Sequence, residues 1–371
     1  MIIGIRVDAS IIMGSGHVMR CLVLAEELHG RNATVEFVTR KHLGNLNKQI
    51  RGKGFKVHSL LTTSETKIKK SITGYKQWLG VEQETDAYET IEVLVNKKID
   101  WLIIDHYALD HIWEENLRPY VKKIMVIDDM AKRQHNCDIL FDQTFGRKKL
   151  DYKKLVPNDC KLLLGSENAL LRPNFAKVRP LALHRRDRYG SIGNILVSMG
   201  SMDEENITTR VLNALSLVKW KTLPNVSVVL TSNSPYLQEI NNNLYKYNVP
   251  IKVLIDVPNM EELMLKSDLA IGAGGSTSWE RCCLALPTIL IVLSENQQKI
   301  GENLSKAGAA ITLQKNDRME YNIRHSIATL MQNKSIYMKI CNSASKICDG
   351  NGVKKTVNKI LSVNTGDSND I

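Results

Sequence analysis

The stretch Leu269-Ala270-Ile271-Gly272-Ala273-Gly274-Gly275-Ser276-Thr277-Ser278-Trp279-Glu280 decides the fold. It runs from an apolar segment through a glycine-rich turn into a segment with helical periodicity, and so predicts a buried strand, a tight turn and a helix. A strand that is apolar along its whole length is typical of a parallel sheet covered on both faces. Three glycines beside several hydroxyl groups also suit a diphosphate, because they let the backbone approach a ligand closely.

The same alternation of short apolar runs and helical segments extends from this turn through most of the chain. It predicts an α/β protein made of two Rossmann-like, doubly wound domains. The apolar runs lie at 2–7, 34–38, 101–105, 123–128, 139–142, 194–198, 226–231, 251–255, 269–272 and 288–293. The helical segments lie at 18–29, 84–97, 110–119, 203–217, 235–245, 259–266, 276–285 and 297–307.

A basic, polar stretch with two prolines separates the two halves. It predicts an N-terminal domain at 1–175, a linker at 176–189 and a C-terminal domain at 190–371. Beyond about residue 322 the sequence reads as helices only, and a terminal helix could pack back across the first domain. We expect the two sheets to face each other across a cleft, with ligands bound outside the carboxyl ends of the strands.

Composition narrows the class of protein. The chain has 371 residues, of which 43% are apolar and 24% charged, and its net charge of +11 suggests an anionic partner. We expect no nucleic-acid partner, since no basic helix or interleaved aromatic platform is visible. The seven cysteines form no Cys-x-x-Cys pair, which favours reduced thiols and argues against zinc. The first residues read as a strand and no run of about 18 apolar residues occurs, so we expect a cytoplasmic protein without a transmembrane segment.

A second glycine turn, Gly14-Ser15-Gly16-His17, follows the first predicted strand and leads into a helix. Gly14 and Gly16 would let a ligand approach the backbone. The positive end of the helix dipole disfavours imidazolium, so His17 would stay neutral and able to accept a proton. The alternative is that His17 only hydrogen-bonds nearby backbone.

Polar residues end two further apolar runs of the first half. Asp105-His106-Tyr107 would point into the cleft, unless Asp105 is a helix cap and Tyr107 packs in the core. Asp128 and Asp129 could orient sugar hydroxyls, but a structural role as helix caps or as partners of Arg6 or Arg20 is slightly favoured.

The second half offers its own ligand-binding candidates. Gly200 makes a tight turn before a helix, and Asn206 in the first turn of that helix could bind a ligand, unless Asp203 is only an N-cap. Glu280 can accept both hydroxyls of a ribose. Asn296 can offer a donor and an acceptor to an acetamido group, unless it merely begins a polar helix.

These motifs resemble the PseG family, the UDP-2,4-diacetamido-2,4,6-trideoxy-β-L-altropyranose hydrolases of pseudaminic acid biosynthesis. The resemblance rests on the turn at 14–17, on Asp105-His106-Tyr107 and on the stretch 272–283, and it covers about residues 1–315 in the same order. Related spore-coat polysaccharide proteins share the pattern, and the fold is similar to that of GT-B glycosyltransferases, including MurG. One departure is Ser201-Met202, where the family commonly has Gly-Thr, which leaves backbone approach to the ligand at Ser201 less certain.

The resemblance implies that His17 activates water, that Asn206 and Glu280 contact the UDP-sugar, and that Tyr107 and Asn296 line the sugar side. The backbone of Gly274, Gly275 and Ser276 would hold the diphosphate. Direct attack by water would invert the anomeric centre. We expect neither a metal nor a cofactor.

Three rival functions remain open at this point. The first is a glycosyltransferase on the same fold, which would show an apolar or basic acceptor patch on the N-terminal domain; the sequence shows no obvious one. The second is a hydrolase of a related UDP-diacetamido sugar. The third is a non-catalytic nucleotide-sugar sensor, which would not need His17.

Overall fold

The computed structural model describes residues 1–62, 74–188, 190–200 and 202–362. The described chain divides into two compact units. The first comprises Met1–Leu170 together with the C-terminal helix, and the second comprises Leu171–Gly352. Each is built around a parallel sheet, which confirms the predicted α/β class.

Within the described ranges, the first unit contains a seven-stranded parallel sheet in the order β3-β2-β1-β4-β5-β6-β7. Its strands are β1 (Ile2–Val7), β2 (Thr34–Arg40), β3 (Lys56–Leu60), β4 (Ile99–Asp105), β5 (Val121–Ile127), β6 (Ile139–Asp142) and β7 (Lys161–Leu164). Its α-helices are α1 (Gly16–Gly30), α2 (Asn47–Gly52), α3 (Gln83–Leu94) and α4 (His111–Leu117).

In the part of the second unit that the structure describes, a six-stranded parallel sheet has the order β10-β9-β8-β11-β12-β13. The strands are β8 (Asn194–Ser198), β9 (Asn225–Leu230), β10 (Ile251–Ile255), β11 (Leu269–Ala273), β12 (Thr288–Val292) and β13 (Ile311–Gln314). The helices are α5 (Pro173–Asp187), α6 (Ile207–Ser216), α7 (Leu237–Asn242), α8 (Met260–Lys266), α9 (Thr277–Cys283), α10 (Glu295–Lys306), α11 (Met319–Gln332) and α12 (Lys334–Ser345). The C-terminal helix α13 (Gly352–Ser362) follows.

The strand order reverses once in each sheet, and the reversal creates the place where a ligand can bind. In the first unit it lies between β1 and β4, whose ends pair as Val7 with Asp105. In the second it lies between β8 and β11, where Ser198 pairs with Gly272. Crevices at such switch points are the usual ligand sites of open α/β sheets. The sequence motifs at 14–17, 105–107, 198–206 and 272–280 all follow strands that border these two reversals.

Alternate residues of the first sheet enter two separate cores. Ile103 packs with α1 on one face, whereas its neighbours Leu102 and Ile104 pack on the other face with Trp113. Helix α13 closes the α1 face, because Val357 and its neighbours on that helix are fully buried there. The C-terminal helix therefore packs against the first unit, as the sequence suggested a terminal helix could.

Three strands that the sequence pattern missed are β3, β7 and β13, and each lies at the edge of its sheet. An edge strand is covered less than a central one, so it does not need a continuous apolar run. Lys56, His58 and Ser59 of β3 are accordingly polar and partly or fully exposed. The signal that identifies central strands is therefore weak at edges.

The structure differs from the predicted linker at 176–189, because helix α5 occupies most of it and the units divide after Leu170. Pro173 is the first residue of the helix. Proline fits this position because the backbone N–H that it lacks would have no partner within the helix. The basic residues of this segment are not simply solvated. Arg186 donates to the carbonyl oxygens of Ser267 and Met264 at 2.6 and 2.9 Å. Arg185 forms an ion pair with Asp268. Residue 189 lies outside the described ranges.

A fully buried charge cluster fixes the ends of β1 and β2 against α3. Arg6 contacts Asp8 at 2.6 Å and Asp86 at 2.7 Å, and Arg40 also donates to Asp86 at 2.7 Å. Burial alone raises the pKa of the Asp86 carboxyl, but Arg6 and Arg40 together lower that pKa below its ordinary value.

In the described ranges, no helix combines the length and apolar character that crossing a bilayer requires.

We predict that Asp86→Asn lowers the free energy of unfolding by about 3–5 kcal/mol, because it leaves two buried guanidinium groups short of a counter-charge. Urea denaturation measures this change. The control is Glu84→Gln, an exposed carboxylate on the same helix, which should change stability by no more than about 0.5 kcal/mol. Equal effects of the two substitutions would contradict a stabilising role for the cluster.

Candidate active site

The turn after β1 is closed by its own hydrogen bonds. The amide of Gly14 donates to the Ser10 carbonyl at 2.8 Å, and the Ser10 hydroxyl accepts from the Met13 amide at 2.9 Å. Gly14 adopts a φ of 77°, which side-chain-bearing residues rarely occupy. Gly16 then begins α1, so His17 lies in the first turn of that helix with 8% of its surface exposed.

His17 is held by a carboxylate from β4 instead of by backbone. Its Nδ1 lies 2.6 Å from Oδ1 of Asp105. Arg20, one turn further along α1, meets both oxygens of the same carboxylate, with Nε 2.6 Å from Oδ2 and Nη2 2.6 Å from Oδ1. The three side chains form one buried cluster that joins α1 to β4 at the switch point.

These distances assign the tautomer of neutral His17. An ionised carboxylate oxygen can only accept, so at 2.6 Å from Asp105 the Nδ1 atom must be the donor. Nε2 is then the nitrogen that carries a lone pair and can take a proton. A carboxylate behind an imidazole in this way also stabilises the imidazolium that forms when the proton is taken.

Asp105 itself is fully buried. Burial raises the pKa of its carboxyl, but Arg20 and His17 outweigh that effect and hold the pKa below the ordinary value. The sequence interpretation placed Asp105 against the substrate or at a helix cap. Its lack of exposed surface and its contacts with His17 and Arg20 instead place it behind His17, as the group that orients the ring.

Tyr107 and Asp129 extend the cluster. The Tyr107 hydroxyl donates to Asp129, and Arg20 Nη1 lies 3.0 Å from the same carboxylate. Burial raises the pKa of Tyr107 well above its ordinary value, so it stays a neutral donor. Its ring meets the His17 ring edge-on at 4.7 Å. The pairing of Asp129 with Arg20 is one of the structural roles weighed from the sequence. Asp128 also has a structural role, but its partners are Arg133 and the Ala131 amide.

Two aromatic residues that sequence reasoning missed complete the surroundings of His17. The short 3₁₀ helix Gly74–Trp78 brings Tyr75 and Trp78 to Tyr107, and Trp78 stacks on the Tyr107 ring at 5.5 Å. The Trp78 ring also lies 5.9 Å from the His17 ring. Neither residue follows an apolar run, so the rule that polar strand ends mark the site could not find them.

We predict that neutral His17 carries its proton on Nδ1 in the wild-type protein. Asp105→Asn should shift the proton to Nε2, because Arg20 Nη2, 3.2 Å from Nδ1, then becomes the donor to that atom. Long-range ¹H–¹⁵N correlation spectra of histidine-labelled protein distinguish the two tautomers. Asp100→Asn, at the other end of β4, is the control and should leave the spectrum unchanged; an Nε2-protonated wild type would contradict the assignment.

In the second unit, the loop after β8 turns at Gly200, whose φ is 95°. Asp203 accepts from the amides of Ile207 and Thr208 at 2.8 and 2.9 Å, so the capping alternative is realised by this carboxylate. Asn206 is the N-cap residue of α6, with its Oδ1 3.4 Å from the Thr209 amide. This contact uses the amide oxygen of Asn206 and leaves its amide nitrogen as a donor. Ser201 lies outside the described residues.

The glycines after β11 have different reasons to be glycine. A Cβ at Gly272 would lie 2.4 Å from Arg281 Nη1, and one at Gly274 would lie 3.1 Å from Gln297 Cβ. A Cβ at Gly275 would meet nothing within 4 Å. Internal packing therefore accounts for Gly272, where a Cβ would also lie 2.8 Å from the Ser198 carbonyl oxygen, and it leaves little room for a side chain at Gly274. Gly275 and the exposed Ser276 are the part of the turn open to one.

Gln297, which the sequence did not single out, ties this turn to β12. Its Oε1 accepts from the Gly274 amide at 3.1 Å and from the Leu293 amide at 3.0 Å. Neighbouring Asn296 accepts from the Ser294 hydroxyl at 2.6 Å, which leaves its amide nitrogen as the donor for a ligand.

Glu280 is a half-buried carboxylate on α9. Burial raises its pKa to about 7, although the charges of Arg172 and Arg281 act in the opposite direction. Such a shifted carboxyl is typical of a functional site.

Among the described residues, no group of three or more His, Cys, Asp and Glu side chains could hold a metal ion.

Comparison with known proteins bears on the fold and on the family resemblance. Residues 194–356 match the glycosyltransferase family 28 C-terminal domain. The UDP-2,4-diacetamido-2,4,6-trideoxy-β-L-altropyranose hydrolase of Campylobacter jejuni is 27% identical over 304 residues, which cover 82% of this chain and 96% of that protein. The spore coat polysaccharide biosynthesis protein SpsG of Bacillus subtilis is 22% identical over 95% of this chain and 96% of its own length.

An uncharacterised protein of Methanocaldococcus jannaschii is 30% identical over 82% of this chain, and the match spans 58% of that longer protein. Among solved structures, MurG of Acinetobacter baumannii matches with a TM-score of 0.70 over 97% of this chain and 99% of its own, at 13% identity. The glycosyltransferase of kitacinnamycin matches with a TM-score of 0.67 over 97% and 98%.

These matches confirm both the fold and the resemblance predicted from the motifs. The chain has the GT-B fold, its residues 194–356 match the glycosyltransferase family 28 C-terminal domain, and it resembles the UDP-2,4-diacetamido-2,4,6-trideoxy-β-L-altropyranose hydrolases.

Proposed function

We propose that this protein hydrolyses a UDP-sugar, UDP-2,4-diacetamido-2,4,6-trideoxy-β-L-altropyranose, to UDP and the free sugar. The observation that carries the proposal is the Arg20–Asp105–His17 cluster, which presents Nε2 of His17 as a base at the end of the central strands. A protein that only bound the nucleotide-sugar would not need an oriented base. The similarity to the Campylobacter jejuni hydrolase supports the choice of substrate.

In this proposal the second unit holds the nucleotide. The open part of the turn at Gly275 and Ser276 receives the diphosphate, and Glu280 accepts the ribose hydroxyls. Asn206 and Asn296 supply amide donors. Positioned donors also stabilise the negative charge that grows on UDP as it leaves, and such preorganised groups are often the largest contribution to catalysis.

His17 supplies the other half of the chemistry. Its Nε2 takes a proton from water while the water oxygen attacks the anomeric carbon and the bond from that carbon to the UDP oxygen breaks. UDP leaves with its charge already spread over phosphate oxygens, so it needs little protonation. Direct attack inverts the anomeric centre. Asp105 stabilises the imidazolium, and no step requires a metal.

His17→Asn should lower kcat by about 10²–10⁴-fold, the usual contribution of one positioned base, and should leave the Kd for UDP unchanged. Steady-state kinetics and calorimetry with UDP measure the two effects separately. The matched control is His29→Asn, an exposed histidine near the other end of the same helix, which should keep full activity. A folded His17→Asn protein with wild-type turnover would rule out the role of the base.

Glu280→Gln should raise KM more than it lowers kcat, because the carboxylate is assigned to bind ribose in the ground state as well as in the transition state. Its pKa of about 7 adds a pH signature. Since the carboxyl is mostly protonated below that pH, the gap in KM between wild type and variant should widen from about pH 6 to pH 8. Glu262→Gln, an exposed neighbour on α8, is the control; a gap that does not change with pH would argue against this contact.

A glycosyltransferase acting on the same class of donor is the second candidate, and one observation favours it. Ile12, Leu43 and Leu61 of the first unit are 62%, 73% and 71% exposed. The amide of Ile11 donates to the Leu43 carbonyl at 3.0 Å, so two of these loops lie together beside the turn that carries His17. Such an apolar surface, which the sequence did not reveal, suits an apolar acceptor. Release of UDP in the absence of an acceptor separates the two functions, since only a hydrolase releases it rapidly.

A further inference from the structure

Arg281 is a buried cation beneath the glycine turn of the second unit. It is 2% exposed. Its Nη2 donates to the Ala273 carbonyl at 2.7 Å and to the Ser278 hydroxyl at 3.1 Å, and its Nη1 lies 3.4 Å from the Thr277 hydroxyl. Its Nε has no hydrogen-bond partner in the described part of the chain, where no carboxylate lies within ion-pair distance of the guanidinium either.

The buried arginines of the first unit differ in this respect. Arg6, Arg20 and Arg40 each contact at least one carboxylate at 2.7 Å or less. Arg281 is left with neutral oxygen atoms only, and burial lowers the pKa of its guanidinium to about 10. An uncompensated buried charge is costly, so a protein that retains one at a ligand-binding turn has a use for the charge.

The turn is shaped around this guanidinium. A Cβ atom at Gly272 would lie only 2.4 Å from Nη1 of Arg281 and 2.8 Å from the Ser198 carbonyl oxygen. Glycine at this position therefore makes room for the guanidinium. The charge therefore lies directly against the last residues of β11. Arg281 contacts the carbonyl oxygen of Ala273. Gly275, where a Cβ would meet nothing within 4 Å, lies two residues further along the chain.

Arg281 also determines what the neighbouring hydroxyls can do. A hydroxyl that accepts from a guanidinium must direct its own proton elsewhere, so it becomes a donor to a third group. Ser278 is buried, with 1% of its surface exposed, and serves only as an internal contact. Thr277 is half-buried, so its hydroxyl is the more accessible of the two.

We propose that Arg281 is the positioning residue for the diphosphate: its unpaired charge attracts the anion to the turn, and its contact orients the Thr277 hydroxyl as a donor to a phosphate oxygen. This rests on the proposed function, in which the second unit holds UDP. The charge acts strongly because it is screened little in a buried place. Binding of the anion in turn supplies the counter-charge that the free protein lacks.

The test compares UDP with uridine, which lacks the phosphates. Calorimetry and ligand-observed NMR give the two Kd values for the wild type, Arg281→Met and Arg281→Lys. We expect Arg281→Met to weaken UDP binding by about tenfold or more, as for loss of a charge-assisted contact, and to leave uridine binding within about twofold. Arg281→Lys, which keeps the charge without the planar fork, should recover part of the preference for UDP.

The control is Arg186→Met, which removes another buried arginine of the same unit; among the described residues, its hydrogen bonds go to carbonyl oxygens only. It should lower thermal stability and keep the ratio of the two Kd values. If Arg281→Met does not fold, Arg281→Lys and Thr277→Val carry the test, and each should reduce the preference for UDP. A folded variant of Arg281 with the wild-type ratio would overturn the role of Arg281 alone. A wild type that binds UDP no better than uridine would overturn the proposed function and this role together.

Discussion

The ion pair between Arg20 and Asp105 is the contact on which the site of the first unit depends. It joins the first helix to the central strand β4 through two hydrogen bonds of 2.6 Å between side chains 85 residues apart in the chain. Asp105 can be ionised inside the protein because Arg20 compensates its charge, and only an ionised Asp105 can orient His17 by accepting from Nδ1. Removing either partner would leave a buried charge, which costs about 3–5 kcal/mol in comparable cases. The geometry of the base is therefore coupled to the stability of the fold.

The two units use the same architecture for different chemistry. Both place their functional residues at the single reversal of strand order, where loops from two central strands diverge. In the first unit the reversal holds compensated charges, with Arg6 on Asp8 and Arg20 on Asp105. In the second it holds an uncompensated one, Arg281 beneath the glycine turn. A compensated cluster suits the orientation of a neutral base, whereas an uncompensated cation suits the capture of an anion.

The sequence predicted the part of this picture that depends on local pattern. Central strands such as β4 and β11 are apolar throughout, and the polar residue or glycine that follows each of them marks the carboxyl end of the sheet. His17, Asp105, Gly275 and Glu280 could be found in this way. The pattern could not show that Asp105 lies behind His17, because the deciding partner, Arg20, belongs to a helix far away in the chain. Nor could it show that Arg281 occupies the space where a side chain at Gly272 would begin, or that Gln297 crowds Gly274.

Other misses have equally physical reasons. The edge strands β3, β7 and β13 are covered less and so carry mixed sequences. Helix α5 looked like a linker because its prolines and arginines are typical of exposed chain, but Pro173 fits a first helical turn and Arg186 finds carbonyl partners in its own unit. Trp78 reaches His17, and Tyr75 reaches Tyr107, from a short 3₁₀ helix that follows no strand. Tertiary contacts of this kind have no local signature.

In the proposed reaction, water attacks the anomeric carbon. The most direct measurement is incubation of the pure protein with UDP-2,4-diacetamido-2,4,6-trideoxy-β-L-altropyranose in ¹⁸O-labelled water without any other acceptor, followed by NMR and mass spectrometry of the products. We expect rapid release of unlabelled UDP, ¹⁸O on the anomeric carbon of the sugar, and inversion in the first product formed. Label on the phosphate of UDP, or no release of UDP until an acceptor is added, would contradict it.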